Sequence, residues 1–399
     1  MSNPVTRSSR LVPRTPHPEP RLAPRTKSSN YRNIEGMKKL VVAAVLLCSQ
    51  WVAAQVNENI IIITTDGLRW QEVFGGMDSA IANNSKFNEG DSGYIYSKYW
   101  ADKAEDRRKK LFPFLWSTIV IGGQLYGNRA YGNKIENANP YRISYPGYSE
   151  LMTGYADTAI NANDFPPNPH VTVLEYLNQQ SKLKGKIVAF GAWNAFDRIL
   201  NEKRSGIPVI CGMDSTGGKY PSPNEKMINT MQHDAYKPWL TDECLDVFTH
   251  HAAFEWLKTR KPKVIYIAYG ETDEWAHSGK YRSYLDAAHQ VDAWVKQLWE
   301  YLQKDPQYRN KTTLVFTTDH GRGDINKEEW TSHNKKIEGA NEIWLAVMGP
   351  DTPVRGEEKG EMQFYQQQIA QTIAKLMRFT YKAKHEIAPE ILPVFKMKK

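Results

Sequence analysis

The chain predicts an α/β fold, a mostly parallel sheet covered by helices on both faces, on three observations. Short β-branched runs recur along residues 55–399 and end in polar residues. These runs are continuously apolar rather than alternating, as in strands buried on both faces. The stretches between them carry a helical period, and strands alternating with helices make an α/β sandwich. At 399 residues, 41% hydrophobic and 12% aromatic, the chain has the apolar material for a sizeable core.

The strand runs, in order, are "NIIIITTDG" (59–67), "KIVAFGAW" (186–193), "KVIYIAYGETD" (263–273), "TTLVFTTDHG" (312–321) and "EIWLAVMGP" (342–350). In "YLDAAHQVDAWVKQLWEYL" (284–302), Leu285, Ala288, Val291, Val295, Leu298 and Leu302 recur at three and four and mark one helical face. A second amphipathic helix is read at 363–377, "QFYQQQIAQTIAKLM". Between the first two strands, "RISYPGYSELMTG" (142–154) is too polar for a core strand. Pro146 and Gly147 predict a turn there, followed by a short helix whose first N–H groups are open to an anion. A lone serine in such a place is ordinarily a helix cap, so Ser144 needs independent support to be more. Residues 75–140 read as an insertion near the site. His289 falls off the apolar face of its helix and reads as solvated, and His250 and His251 have no evident partner.

The net charge of +8 does not indicate a nucleic-acid partner. Nine Lys/Arg and two Asp/Glu fall in residues 1–55, which leaves +1 on the rest of the chain. Residues 1–36, rich in Arg, Pro and Ser and without apolar period, read as a disordered upstream extension. From Met37, "MKKLVVAAVLLCSQWVAAQ" has two lysines, a short apolar run and small residues at Ala53 and Ala54. This is the pattern of a secretory signal over 37–54, with translation starting at Met37. The expected product is an exported, periplasmic or secreted domain over 55–399 with no membrane span after signal cleavage. A lipid anchor at Cys48 fits less well, because Leu47 precedes it. Cys211 and Cys244 remain, either bridged in an oxidising compartment or both free. Their spacing is not that of a thiolate zinc site.

Three apolar runs lead into acidic residues: Asp66, Asp273 and Asp319. His277 follows Asp273 by four residues, and His320 adjoins Asp319. One Asp after a strand is usually a turn residue. Three of them, two with a histidine close by, point to a metal site, and the mixture of carboxylate oxygen and imidazole nitrogen suits zinc or a similar first-row ion.

"IIIITTDGLRW", "ISYPGYSELMTG", "GETDEWAH", "TTDHGRG" and "WTSH" together resemble, in order and chemistry, the alkaline phosphatase superfamily. The resemblance is greatest to its type I phosphodiesterase/nucleotide pyrophosphatase branch and extends over roughly residues 59–350. It implies an alkaline-phosphatase-like three-layer sandwich and two divalent metal ions, zinc or else manganese or iron. One metal would be held by Asp66, Asp319 and His320, with Ser144 as ligand and nucleophile. The other would be held by Asp273, His277 and His333, the last with flanks furthest from the pattern. Asn163, or Asn161, stands where related enzymes hold a phosphoryl oxygen.

The implied chemistry is consistent with the residues. A serine hydroxyl needs a base or a metal to attack at neutral pH, and no histidine lies in the Ser144 motif. A metal pair about 4 Å apart suits in-line displacement at phosphorus. The expected course is attack by Ser144, a phosphoseryl intermediate and hydrolysis by water. Sulfatases of this fold need Arg where Tyr148 stands, and phosphoglycerate mutases carry a large inserted domain. Trp193 and Asn194, where a monoesterase group has a Lys and an Arg, favour a diester, although Arg198, Lys203 and Arg204 follow closely. A module that only binds metal would close its site with protein ligands, whereas Ser144 leaves a position open. The expected partner is a small phosphorylated substrate rather than a nucleic-acid polymer.

Overall fold

A computed structural model describes residues 56–396, apart from 241. The readings made for 1–36 and 37–54 lie outside the described residues. Among the described residues the central sheet has eight strands. These are β1 (Asn59–Thr65), β2 (Gln124–Tyr126), β4 (Ile187–Gly191), β5 (Val209–Cys211), β6 (Val264–Tyr269), β7 (Thr312–Thr318), β9 (Leu345–Met348) and β10 (Gly356–Glu357). Their order is β10-β2-β9-β7-β1-β6-β4-β5. Only β9 runs against the others, pairing antiparallel with both β7 and β2. A smaller sheet joins β11 (Met362–Tyr365), β3 (Asn133–Glu136) and β8 (Glu342–Ile343).

Helices cover both faces. All seven residues of β1 are buried, and its isoleucines alternate between two cores, as the pleat requires. Ile61 and Ile63 pack in the core that holds helices α2 (Asp246–Arg260) and α4 (Tyr281–Lys304). Ile60 and Ile62 face the core of α1 (Ser144–Thr153) and α5 (Gln368–Leu376). The six apolar positions read from the period of α4 are all buried there. This is an α/β sandwich with a mostly parallel central sheet.

Several local readings are corrected. The run 263–273 ends as a strand at Tyr269, and helix α3 (Glu271–His277) begins just after Gly270. Asp273 therefore stands in a first helical turn instead of at a strand end. Asp246 starts that helix by accepting from the N–H groups of Gly270 (2.8 Å) and Glu271 (3.1 Å). The run 342–350 divides between the two sheets at Trp344. The stretch 363–377 is helical only from Gln368, because Met362–Tyr365 pair in parallel with β3. Residues 75–140 hold the helical segments Ser79–Ala82, Ser92–Tyr99, Ala104–Leu111, Leu115–Ile119 and Val120–Gly122, then β2, the short helix Arg129–Tyr131 and β3, and β2 joins the central sheet.

Two histidine readings change as well. His289 is half-buried, with Nδ1 2.8 Å from the Leu111 carbonyl. His250 is buried between the Tyr269 hydroxyl (2.9 Å) and Gln297 Oε1 (2.7 Å). Cys211 and Cys244 are both buried and free.

Candidate active site

The ladder of three adjacent strands lines up the site. Thr65 at the end of β1 pairs with Thr318 of β7 on one side and Tyr269 of β6 on the other. Asp66, the pair Asp319–His320 and the start of α3 consequently leave the sheet at one level, where ligands gather in such folds.

Ser144 is the first residue of α1, and the turn expected at Pro146 and Gly147 does not form. Pro146 lies in the first turn, where its missing N–H would have no partner in any case. Gly147 continues the helix and lets it approach β7: a Cβ there would lie 2.7 Å from the Asp319 carbonyl oxygen. The serine does not cap the helix. Its Oγ instead lies 3.3 Å from His320 Nε2 and 3.5 Å from Asp66 Oδ1.

Around that hydroxyl the structure gathers every Asp and His singled out from the sequence. His320 Nε2 is 3.3 Å from Asp66 Oδ1, 3.4 Å from Asp319 Oδ2 and 3.9 Å from Asp273 Oδ1. His277 Nε2 is 3.1 Å from Asp273 Oδ2 and 2.9 Å from His333 Nε2. The rings of His320 and His333 stack at 3.8 Å. Asp273 belongs to both groups: its ligand atoms lie within 4.8 Å of those of His277 and His333, and of those of Asp66 and His320. The i,i+4 spacing of Asp273 and His277 sets them on one face of α3.

The electrostatics call for positive charge. Burial, and then repulsion from Asp273, pushes the Asp66 carboxyl well up. Asp319 is pushed up by burial and then by Asp66. Burial acts the same way on Asp273, but the Arg322 guanidinium beside it, with His277 and His333, holds it well below the usual carboxylate range. His333 is driven down by burial and then by His320.

The donor set fits divalent metal. Asp319 Oδ1 accepts from the Gly67 N–H at 3.0 Å, while its Oδ2 is buried without a hydrogen-bond partner among the described residues. His320 and His333 turn Nδ1 to the carbonyls of Gly321 and Arg142, each at 3.0 Å, which leaves each Nε2 lone pair facing the carboxylates. Tyr148, in the second turn of α1, donates its hydroxyl to Asp66 Oδ2 at 3.1 Å.

A cavity of about 170 Å³ opens on this cluster, lined by Asp66, Ser144, Asn163, Trp193, Glu243, Asp273, Glu274, His277 and His333. Asn163 Oδ1 accepts from the Tyr145 N–H at 3.0 Å, so the asparagine is tied to the start of α1. Asn161 is exposed and does not line the cavity. Arg198 binds the Phe165 carbonyl, and Arg204 pairs with Glu175. Sequence reasoning missed Glu243, which no strand run announces, and Arg322, which lay inside the quoted "TTDHGRG".

Comparison with known proteins agrees with this architecture. The family model described as type I phosphodiesterase / nucleotide pyrophosphatase matches residues 175–390. Among solved structures, alkaline phosphatase PafA is 9% identical with a TM-score of 0.53, over 86% of this chain and 99% of that one. The 2-O GAG sulfatase BT1596 is 14% identical with a TM-score of 0.53, over 86% of this chain and 76% of that one. The phosphonate monoester hydrolase of Agrobacterium radiobacter is 11% identical with a TM-score of 0.51, over 85% and 77%. No curated protein matches the chain. At these identities the solved structures establish a shared alkaline-phosphatase-like fold.

Proposed function

Because the chain belongs to the type I phosphodiesterase / nucleotide pyrophosphatase family of phosphoric ester hydrolases, we propose that it cleaves phosphodiesters with Ser144 as the nucleophile. The observation that carries this reading is the position of Ser144 Oγ, at the first turn of α1 and within 3.5 Å of both His320 Nε2 and Asp66 Oδ1. Asp66, Asp319 and His320 would hold one divalent ion and Asp273, His277 and His333 a second, with zinc suiting the mixed nitrogen and oxygen donors. Bound there, the ions supply the positive charge that lets the serine hydroxyl ionise and that offsets the charge of the phosphoryl oxygens.

The chain's own groups do the rest. Ser144 Oγ, once it has given its proton to solvent, forms a bond to phosphorus as the bond to the departing alcohol breaks. The alcohol leaves with a proton from solvent. Water then cleaves the Ser144–phosphorus bond, which releases the phosphomonoester and restores the hydroxyl. In the first turn of α1 the Tyr145 N–H is bonded to Asn163 Oδ1 and the Gly147 N–H to the Ile143 carbonyl, and Pro146 has none, so the N–H of Ser144 is the one that can donate to a phosphoryl oxygen. Asn163, fixed through the Tyr145 N–H, would bind another.

The cavity lining supports a diester over a monoester. A monoester carries an extra negative charge that a Lys or Arg would meet, and the lining contains neither among the described residues. Trp193 lines the cavity, and Arg198 and Arg204 have partners elsewhere. Tyr148, in place of the arginine a sulfatase needs, is bonded to Asp66. No helix among the described residues is long and apolar enough to cross a membrane. The leader read from Met37 is what supports export of the domain over 55–399.

The test is a panel on purified, metal-loaded protein: bis-p-nitrophenyl phosphate, p-nitrophenyl phosphate and p-nitrophenyl sulfate. Diester turnover should be the fastest of the three. Faster monoester or sulfate turnover would refute the phosphodiesterase reading.

A further inference from the structure

The helix Pro223–Asp234 is turned inside out. Its buried residues are Glu225 and Gln232, while Met227 and Met231, one turn apart, are 57% and 56% exposed. The polar side is firmly held. Arg260 Nη2 donates to Glu225 Oε2 at 3.0 Å, and Gln232 Nε2 donates to the Gly212 carbonyl at 3.0 Å. Ser222 and Glu225 close a capping box at the first turn. The outward methionines therefore belong to a fixed helix, and turning them in would break those bonds.

Two aromatic residues extend the apolar face, Tyr220 ahead of the helix and Tyr236 behind it, 77% and 83% exposed. Beside the methionines a groove of about 380 Å³ runs between this helix and α2, lined by Met227, Ile228, Met231, Val247, Phe248 and Phe254. The four exposed side chains leave about 600 Å² open, at the top of what a monomer shows. With the groove and the polar residues between them, the face reaches the roughly 800 Å² that each partner buries in a stable dimer.

We propose that two copies of the chain pair through this face, with their helices Pro223–Asp234 antiparallel about a two-fold axis near Asn229. This goes beyond the hydrolase reading and does not depend on it. In that arrangement the face complements itself, as a two-fold interface must. Met227 meets Met231 of the second copy, Tyr220 meets its Tyr236, and the exposed Lys226 comes within reach of its exposed Asp234. Each copy's methionines enter the other's groove, where unbranched thioether chains adapt to an irregular wall. A parallel pair would instead oppose Lys226 to Lys226 and Asp234 to Asp234.

The test is the mass of the purified, metal-loaded protein in solution at micromolar concentration, by sedimentation velocity or light scattering. The wild type should show twice the mass of one chain. Met227→Lys combined with Met231→Lys should raise the dissociation constant of the dimer by at least about 100-fold and leave a monomer that still unfolds cooperatively. If that double variant does not fold, the charges decide. The two-fold axis makes each ion pair occur twice, so Lys226→Asp alone and Asp234→Lys alone should each weaken the dimer by about tenfold. The two together should restore it. A monomeric wild type, or a dimer that neither set of variants weakens, overturns the proposal. So does a monomer that binds phosphatidylglycerol vesicles through Met227 and Met231, which would assign the face to a membrane.

Discussion

The two histidine groups of the site are built in different ways. His320, Asp66 and Asp319 follow adjacent strands whose ladder sets Thr65 against Thr318, and the side chains of His320 and Asp319 are fully buried. Asp273 and His277 sit on a short helix and His333 on a loop, and the His277 side chain is 44% exposed. The first group inherits its geometry from the sheet. The second depends on side-chain contacts, among them the Arg322–Asp273 ion pair and the bond from His333 to the Arg142 carbonyl.

That contrast should appear most strongly when one ligand is removed from each group. Asp319→Asn takes charge from a spot that water does not reach, so turnover should fall by about a thousandfold or more and excess zinc should not restore it. His277→Ala opens a half-exposed position. Its metal affinity should fall by about 10- to 100-fold, and added zinc should recover turnover. Metal content after dialysis and activity against added zinc distinguish the two cases, and identical behaviour of both variants would break the comparison.

The approach of α1 to β7 is the next point to test. In Gly147→Ala the new methyl would meet the Asp319 carbonyl oxygen at 2.7 Å. Moving the helix should destabilise the fold by about 1–3 kcal/mol and lower turnover by about a hundredfold through misplacement of Ser144. Thermal unfolding and steady-state kinetics measure these effects. Tyr148→Phe removes only the bond to Asp66 Oδ2. Its metal affinity should fall by about tenfold with a stability change of about 1 kcal/mol, as read by competition with a chelator and by thermal unfolding.

The smallest effect lies outside the site. Asp292 accepts from the N–H groups of Phe114 and Leu115, at 2.7 and 2.8 Å, yet burial pushes its carboxyl up to about 7. The folded chain therefore holds this proton more tightly than the unfolded one. The associated stability is full below about pH 4 and is lost as pH rises through about 7. Melting temperatures between pH 5 and 8 should decline less steeply for Asp292→Asn than for the wild type.

The same contrast explains what was legible in the sequence. Asp66, Asp319 and His320 follow continuous β-branched runs, so a strand and its end could both be read, and the sheet places them together. Asp273 was found, but its setting was not: the apolar run stops at Tyr269, and the helix after Gly270 is started by Asp246, more than twenty residues away in sequence. His333 depended on the family pattern, because a loop histidine has no period to reveal it. Glu243 was invisible for a related reason. It meets Trp193 through one isolated bridge and occupies space left by a glycine elsewhere in the chain. Short strands such as β2 and β10 were missed because two or three residues carry no detectable alternation.

The most direct test of the central claim is to quench the metal-loaded enzyme with acid during diester turnover and analyse its peptides by mass spectrometry. One phosphoryl group should appear on the peptide containing Ser144, and Ser144→Ala should retain its metal but show neither the modification nor turnover. Steady hydrolysis by Ser144→Ala, or a phosphoryl group carried on a different residue, would contradict the account.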